Sequence, residues 1–458
     1  MGAIYQSISV NQISKEQRWD VPFNVELKNL YENQVQVVTI EEISRHLTNG
    51  ATPLGAQFLD EGVHFYRAND VKRYNLDYFN HKYISKEQSK TLKRSILKFG
   101  DIIFTIKGKV GDVAVFPENQ EESNINQDNA LIRLKEGYDP YYFCGIFNSK
   151  FGLNQVKAFA TETINPFLGL GNLKKLRLPI LEKQKQESIS NKVKQTIDIE
   201  LKALLILKKT QTIFYQKLGI DFSKIQKEKY YSVNLSDFAK DDLWTPAFSY
   251  PLYVNTLKEI QKKWQTVPLG EIATVKKGDE VGSDNYNKYL DKKDSDVPFI
   301  RTSDLVNYEV DQFPDFYVPE EIYKELNQDI KAGDVLFTND GKIGLVAMLT
   351  SQDKVIIQSH IKRLRLKPET KKYNLTPEYL FLVLSIKEVA RYQTERYTVI
   401  QSTIPTISSH VFDIQIPILD KNSIDEITKL VKEAFELKDE KKKLIKEVRE
   451  EIDSYFDI

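Results

Sequence analysis

The sequence predicts an α+β protein: two pseudo-two-fold related α/β domains joined by two long, antiparallel, coiled-coil-like helices. Two observations carry this fold class. A set of motifs occurs twice in the same order, and each copy closes on a long helical pattern with heptad spacing.

The repeat comes first, because a missed repeat misassigns the whole fold. The stretch GDIIFTIKGKVGDVAVF, from Gly100 to Phe116, returns as GDVLFTNDGKIGLVAML, from Gly333 to Leu349, 233 residues on. Upstream, VTIEEIS (Val38 to Ser44) resembles VPLGEIA (Val267 to Ala273). Arg67, Asp70, Tyr74 and Asp77 fall on Arg301, Asp304, Tyr308 and Asp311 at a constant shift of 234. Downstream, LRLPILEK (Leu176 to Lys183) resembles IQIPILDK (Ile414 to Lys421), and RWDVPF (Arg18 to Phe23) has a loose echo in LWTPAF (Leu243 to Phe248). A unit of about 230 residues is far too long for a solenoid repeat. It implies a tandem duplication of one domain with its tail.

Within each unit the Gly-bearing stretch reads as two short strands around a turn, Lys107-Gly108-Lys109 in the first copy. Gly108, Gly111, Gly341 and Gly344 suit positive φ or close backbone approach. A structural hairpin is their simplest role.

Each copy ends in a Pro-Ile-Leu segment and a helical pattern. Heptad a and d positions in the first are Val193, Ile197, Glu200, Leu204, Leu207, Gln211, Phe214 and Leu218, six of eight apolar. Gly219 then supplies a C′ stop. In the second they are Ile424, Ile427, Val431, Ala434, Lys438, Lys441, Ile445, Val448, Ile452 and Tyr455, eight of ten apolar. Lys and Glu fill the other faces, which favours a helix–helix pair over a fully buried core helix. The expected boundaries are a first domain at 1–182, a spacer helix at 183–219, a second domain at 220–419 and a C-terminal helix at 420–458. Two-fold related halves would place the helices antiparallel and the domains at opposite ends. A rod of roughly 54 Å would result, about 16 base pairs of B-DNA.

Bulk composition says little about partners. The 458 residues carry 65 Lys and Arg against 65 Asp and Glu, so a nucleic-acid argument has to be local. Residues 71–98 hold eight Lys/Arg against two acids, but the matching 305–332 hold two Lys against seven acids. In the second copy the basic stretch is 361–372. A solvated helical face explains residues 71–98 as well as a phosphate-contacting one. Base reading needs polar loops. NINQDNA (Asn124 to Ala130) with IIQSH (Ile356 to His360), and TETIN (Thr161 to Asn165) with TVIQSTI (Thr398 to Ile404), lie at matching places and differ between copies.

Together these blocks resemble the specificity subunits of type I restriction–modification enzymes over essentially the whole chain. The carriers are the GDI.FT..GK.G block at Gly100 to Gly111 and Gly333 to Gly344, the preceding YRAND and FIRTSDL segments, and the LPI or IPI entry into a long helix at Pro179 and Pro417. The resemblance implies two target recognition domains, each reading half of a bipartite double-stranded DNA sequence. The helices would set the spacer and dock methylation subunits, two of them. Those partners would bind S-adenosylmethionine, and a restriction subunit, where present, would use ATP and magnesium. This chain would bind no cofactor. The expected DNA-binding residues are Arg67, Lys107, Lys109, Asn126, Gln127, Thr161, Thr163 and Asn165 in the first domain. In the second they are Arg301, Lys342, Gln358, Ser359, Thr398, Gln401 and Ser402. Partner docking is expected on the helices at Val193, Ile197, Leu204, Leu207, Val431, Ile445 and Val448. The chain departs from the family in its second helix start, where DKNSI replaces the Gln-rich EKQKQ of the first.

No catalytic residue and no metal site is expected. NPFLGLG (Asn165 to Gly171) lacks the second Pro of adenine methyltransferase motifs, and no GxxxxGK[ST] loop occurs. The five histidines have no metal-binding spacing, and the one cysteine, Cys144, cannot make a zinc site. A lone thiol, no signal peptide and no apolar run of membrane length suit the cytoplasm and no membrane partner. Two other readings stand beside the first: a coiled-coil scaffold without DNA binding, and an enzyme with an unrecognised site.

Overall fold

A computed structural model describes residues 36–53, 55, 57–118, 120–161, 165–228, 230–237, 243–281, 296–401 and 403–456. The motif at Arg18 to Phe23 lies outside the described residues. The chain divides into two compact units: Met1–Asp198 with Lys441–Ile458, and Ile199–Glu440.

Both units build the same sheets in the same order. In the first, Ser44–Asn49, Asn129–Leu134, Ile102–Thr105 and Val113–Val115 form an antiparallel four-stranded sheet. In the second, Ala273–Lys277, Ile361–Leu366, Val335–Thr338 and Val346–Met348 do so. The continuous apolar runs IIFT and VLFT are buried along their whole length. A sheet covered on both faces demands such runs in place of alternation. Ile103 points into a cluster with Tyr66, Ala114 and Leu131, while Phe104 meets Phe147 of the helix Pro140–Asn148 edge-on at 5.3 Å.

A three-stranded sheet follows in each unit. Lys82–Ile84, Val63–Tyr66 and Ser123–Ile125 match Phe316–Val318, Val297–Ile300 and Ile356–Ile357, the last pair parallel in both. The ribbons Val37–Thr39 with Arg177–Pro179, and Thr266–Pro268 with Gln415–Pro417, tie each unit's start to its end. A tyrosine secures each ribbon: Tyr142 Oη donates to Pro179 O and Tyr379 Oη to Pro417 O, both at 2.8 Å. The copies differ by one residue at Lys387–Arg391, a π-helical turn. It moves the correspondence from 237 at the caps Asp139 and Thr376 to 238 at Gln155 and Gln393, whose amides clamp the strand backbone at Arg177 and Gln415.

The long helices are Lys183–Leu218 and Lys421–Ser454. Gly219 ends the first with φ 61° and donates its N–H to Tyr215 O. At the start of the second, Asp420 accepts from the Ser423 N–H. In the second unit the pairs Glu200–Lys438 and Lys217–Glu426, both 3.0 Å, run in antiparallel order. In the first unit Lys192 meets Glu451 at 2.7 Å.

Every heptad position named above is buried except Gln211 and Tyr455, which are half-buried. That corrects the expectation for docking. Val193, Ile197, Leu204, Leu207, Val431, Ile445 and Val448 are buried within this chain, so the exposed positions between them form the helices' outer surface. The polar positions have specific partners. Lys438, fully buried, lies 3.0 Å from Glu200 Oε1 and 3.5 Å from Glu309 Oε1. Gln211 Nε2 donates to Tyr308 Oη and Ser385 Oγ, both at 3.1 Å.

Candidate nucleic-acid interface

The Gly-bearing hairpin is held by its threonine. Thr105 Oγ1 donates to Lys109 O and accepts from the Asp112 N–H at 2.9 Å. Thr338 repeats this with Lys342 O and the Leu345 N–H. Gly108 and Gly341 have φ 79° and 73°, where a side chain would be strained although nothing lies nearby to clash with it. At the hairpin base, Asp101 caps Lys98 N and takes Arg133 Nε and Nη2 at 2.6 and 2.5 Å. Asp334 caps Lys331 N and takes Arg365 Nε and Nη2 at 2.6 and 2.7 Å. These carboxylates are turn caps and partners in ion pairs.

Around each turn, distant loops converge through backbone bonds. In the first unit Ile106 N donates to Asp128 O, Gly108 N to Pro166 O, and Leu168 N to Ile106 O. In the second, Asn339 N donates to His360 O, Gly341 N to Pro405 O, and Ile407 N to Asn339 O. Of the loops picked out by sequence, Asn124 to Ala130 and Ile356 to His360 hold two of these acceptors, Asp128 O and His360 O, while Thr161 to Asn165 and Thr398 to Ile404 end next to two more, Pro166 O and Pro405 O.

The individual side chains divide into two groups. Lys107, Gln127, Thr161 and Asn165 are exposed at the first cluster, and Lys342 at the second. Ser359 is half-buried and donates to Glu280 at 3.2 Å. Others are engaged in bonds within the chain. Arg67 donates Nε and Nη2 to Asp70 at 3.0 and 3.1 Å and closes a 3₁₀ turn. Lys109 lies 3.0 Å from the buried Asp112. Asn126, buried, binds Asp128 at 2.8 Å. Arg301 bonds Asp315 at 2.7 Å and stacks over Phe316. Gln358 is buried, and Thr398 Oγ1 returns to Thr394 O at 2.7 Å. Gln401 sits on the strand Val399–Gln401; Thr163 and Ser402 lie outside the described residues.

Sequence reasoning passed over Asp340 and His360, whose Oδ2 and Nδ1 are 2.9 Å apart. Burial works against the Asp340 carboxylate, but hydrogen bonds from Thr406, His360 and Asn339 outweigh it and hold its pKa below the usual range. Aligning the copies by their backbone bonds sets Asp340 against Lys107 and His360 against Asp128, so the carboxylate changes sides between the copies. Among the described residues no cluster of His, Cys, Asp or Glu is placed to hold a metal ion, and no helix is long and apolar enough to cross a membrane. Burial pushes the Cys144 thiol up, away from thiolate reactivity.

A sequence model of the type I restriction modification DNA specificity domain matches twice, over residues 32–211 and 261–447. The chain belongs to this family. The type I specificity domain therefore occurs as a tandem pair here, each match running from the first strand ribbon into a long helix. The specificity subunit of the type I restriction enzyme EcoBI from Escherichia coli is 24% identical over 202 residues, which span 42% of this chain and 42% of that relative. The crystal structure of a type I restriction-modification S subunit from M. genitalium aligns over 93% of this chain and 96% of its own, with 12% identity and a TM-score of 0.36. The HsdS subunit from Thermoanaerobacter tengcongensis aligns over 92% and 96%, with 13% identity and a TM-score of 0.29. At those scores the family membership rests on the sequence model.

Proposed function

We propose that this chain is the DNA-reading, non-catalytic specificity subunit of a type I restriction–modification complex. Each unit reads one half of a bipartite double-stranded DNA target. The observation that carries this reading is the loop cluster built twice on identical backbone bonds, with an exposed lysine in each but different polar side chains around it. One scaffold with divergent outward groups suits two unlike half-sites. The long helices set the spacer, and their exposed faces dock two methylation subunits. S-adenosylmethionine belongs to those partners; ATP and magnesium belong to a restriction subunit where one joins. The work takes place in the cytoplasm, where the DNA is.

The test is modification-sensitive long-read sequencing of the host genome with and without this gene, partner genes expressed. The expected result is loss of an asymmetric, bipartite methylated motif. An unchanged methylome would favour a scaffold without DNA binding.

A further inference from the structure

Resting on that reading, we propose that each unit also carries an apolar base-reading group on the loop seated against its Gly turn. These are Phe167 in the first unit and Ile400 in the second, which shares its ribbon face with Pro405 while Ile404 lies on the other. Their partner is the 5-methyl group of a thymine in the major groove.

Three observations support this. Phe167 is 44% exposed and Ile400 74%, whereas the strands Ile102–Thr105 and Val335–Thr338 are buried throughout. Single exposed apolar groups are ordinary on a protein surface. Here, however, both copies expose one on the same loop. That loop is anchored in the same way, by Gly108 N on Pro166 O at 3.2 Å and Gly341 N on Pro405 O at 2.9 Å. The anchoring continues on both sides of the loop. Phe167 N donates to Thr161 Oγ1 at 3.0 Å and Phe167 pairs with Lys107 across an isolated bridge. Ile400 and Ile404 lie on a two-stranded ribbon in which Ile400 faces Pro405 and Gln401 faces Ile404.

Apolar side chains held rigidly beside exposed Lys107 or Lys342 meet a duplex together with the phosphate contact. In the major groove the thymine methyl is the one apolar feature of a base edge. The two copies expose the group at different points of the loop, which suits half-sites with thymine at different positions.

The test uses the full chain assembled with its methylation subunits. Methylome sequencing first gives the wild-type motif; its absence would sink the DNA-reading proposal itself. With the motif in hand, Phe167→Ala should relax one A·T position in one half and leave the other half intact. Ile400→Ala should do the reverse. Duplexes with thymine replaced by deoxyuridine, one at a time, should bind the wild-type complex about fourfold more weakly at one position per half, the factor for one buried methyl group. That penalty should vanish in Phe167→Ala for its half. Because the readout is a difference between two duplexes on one protein, a partly unfolded variant does not mimic it. A half-motif without any A·T pair, or no uracil penalty at any thymine, would overturn the inference.

Discussion

In the first unit Lys107 stands exposed at the turn, and the facing Asp128 is bound by Asn126. In the second unit the matching position is Asp340, and it is bound to His360. Beneath this reversal the two turns are the same object. Thr105 and Thr338 close them alike, and Arg133–Asp101 and Arg365–Asp334 brace them alike. The difference teaches where a duplicated domain can diverge. Bonds to backbone atoms and buried ion pairs hold the turn whatever the outward side chains are. Those side chains can then change sign without disturbing the scaffold.

The helix seam offers the widest contrast between the units. Lys438 is buried against Glu200 and Glu309, whereas Lys192 and Glu451 in the first unit are partly exposed. Lys438→Met should destabilise the second unit by roughly 3–5 kcal/mol, because it strands buried carboxylates. Lys192→Met should cost about 0.2–1 kcal/mol, as exposed pairs do. Urea unfolding of the two variants checks this, and equal losses would break the contrast. Replacing Glu200 and Lys438 together by leucine should recover only part of the stability, because buried Glu309 still loses its contact with Lys438.

Sameness of the two hairpins is tested next. Arg133→Ala and Arg365→Ala should each cost about 2–3 kcal/mol, since each leaves a buried carboxylate without its bidentate partner. A loss in one unit alone would mean that the braces are not equivalent.

At the loops the expected effects are on binding. Lys107→Glu and Lys342→Glu should weaken DNA binding across all sequences and lower the slope of log K against log salt by about 1 each. Lys109→Glu would be a poor substitute, because Lys109 pairs with Asp112 and its loss would loosen the turn. Exchange of residues 161–165 should alter one half of the motif only. A change in both halves would contradict independent units.

The smallest effect concerns pH. His64 and His81 stack at 4.4 Å in the first unit, and burial lowers both of their pKa values. The second unit has Pro298 and Asp315 at the positions 234 further on. A depressed histidine pKa means that the unfolded chain binds more protons. Stability is therefore full above the unfolded value, about 6.5, and falls as pH drops below it, by at most about 1.4 kcal/mol per pH unit and histidine. Thermal unfolding at pH 7.5 and 5.5 should show this loss in wild type and less of it in His64→Phe. An unchanged loss would place the proton uptake elsewhere.

The braces show why site residues were harder to read than the fold. Arg67 and Lys109 looked like phosphate contacts, being basic and in loops. Each instead pairs with an aspartate three residues on, Asp70 or Asp112, which a tight turn brings round. Charge along the chain does not reveal which way a turn points it. Asp340 and His360, 20 residues apart, meet only because a backbone bond joins their strands' ends.

What the sequence by itself determined was the duplication, the strand-turn-strand hairpin and the two long helices. Those features are written in local or periodic patterns: glycines needing positive φ, short apolar runs, apolar residues at heptad spacing. What only the tertiary structure decided was the role of each polar side chain. Two of the charges that interrupt the heptads, Glu200 and Lys438, stand 238 residues apart and read as flaws along the chain. Packed against each other in a dry seam they become a matched pair, because a buried charge is tolerated only beside its counter-charge.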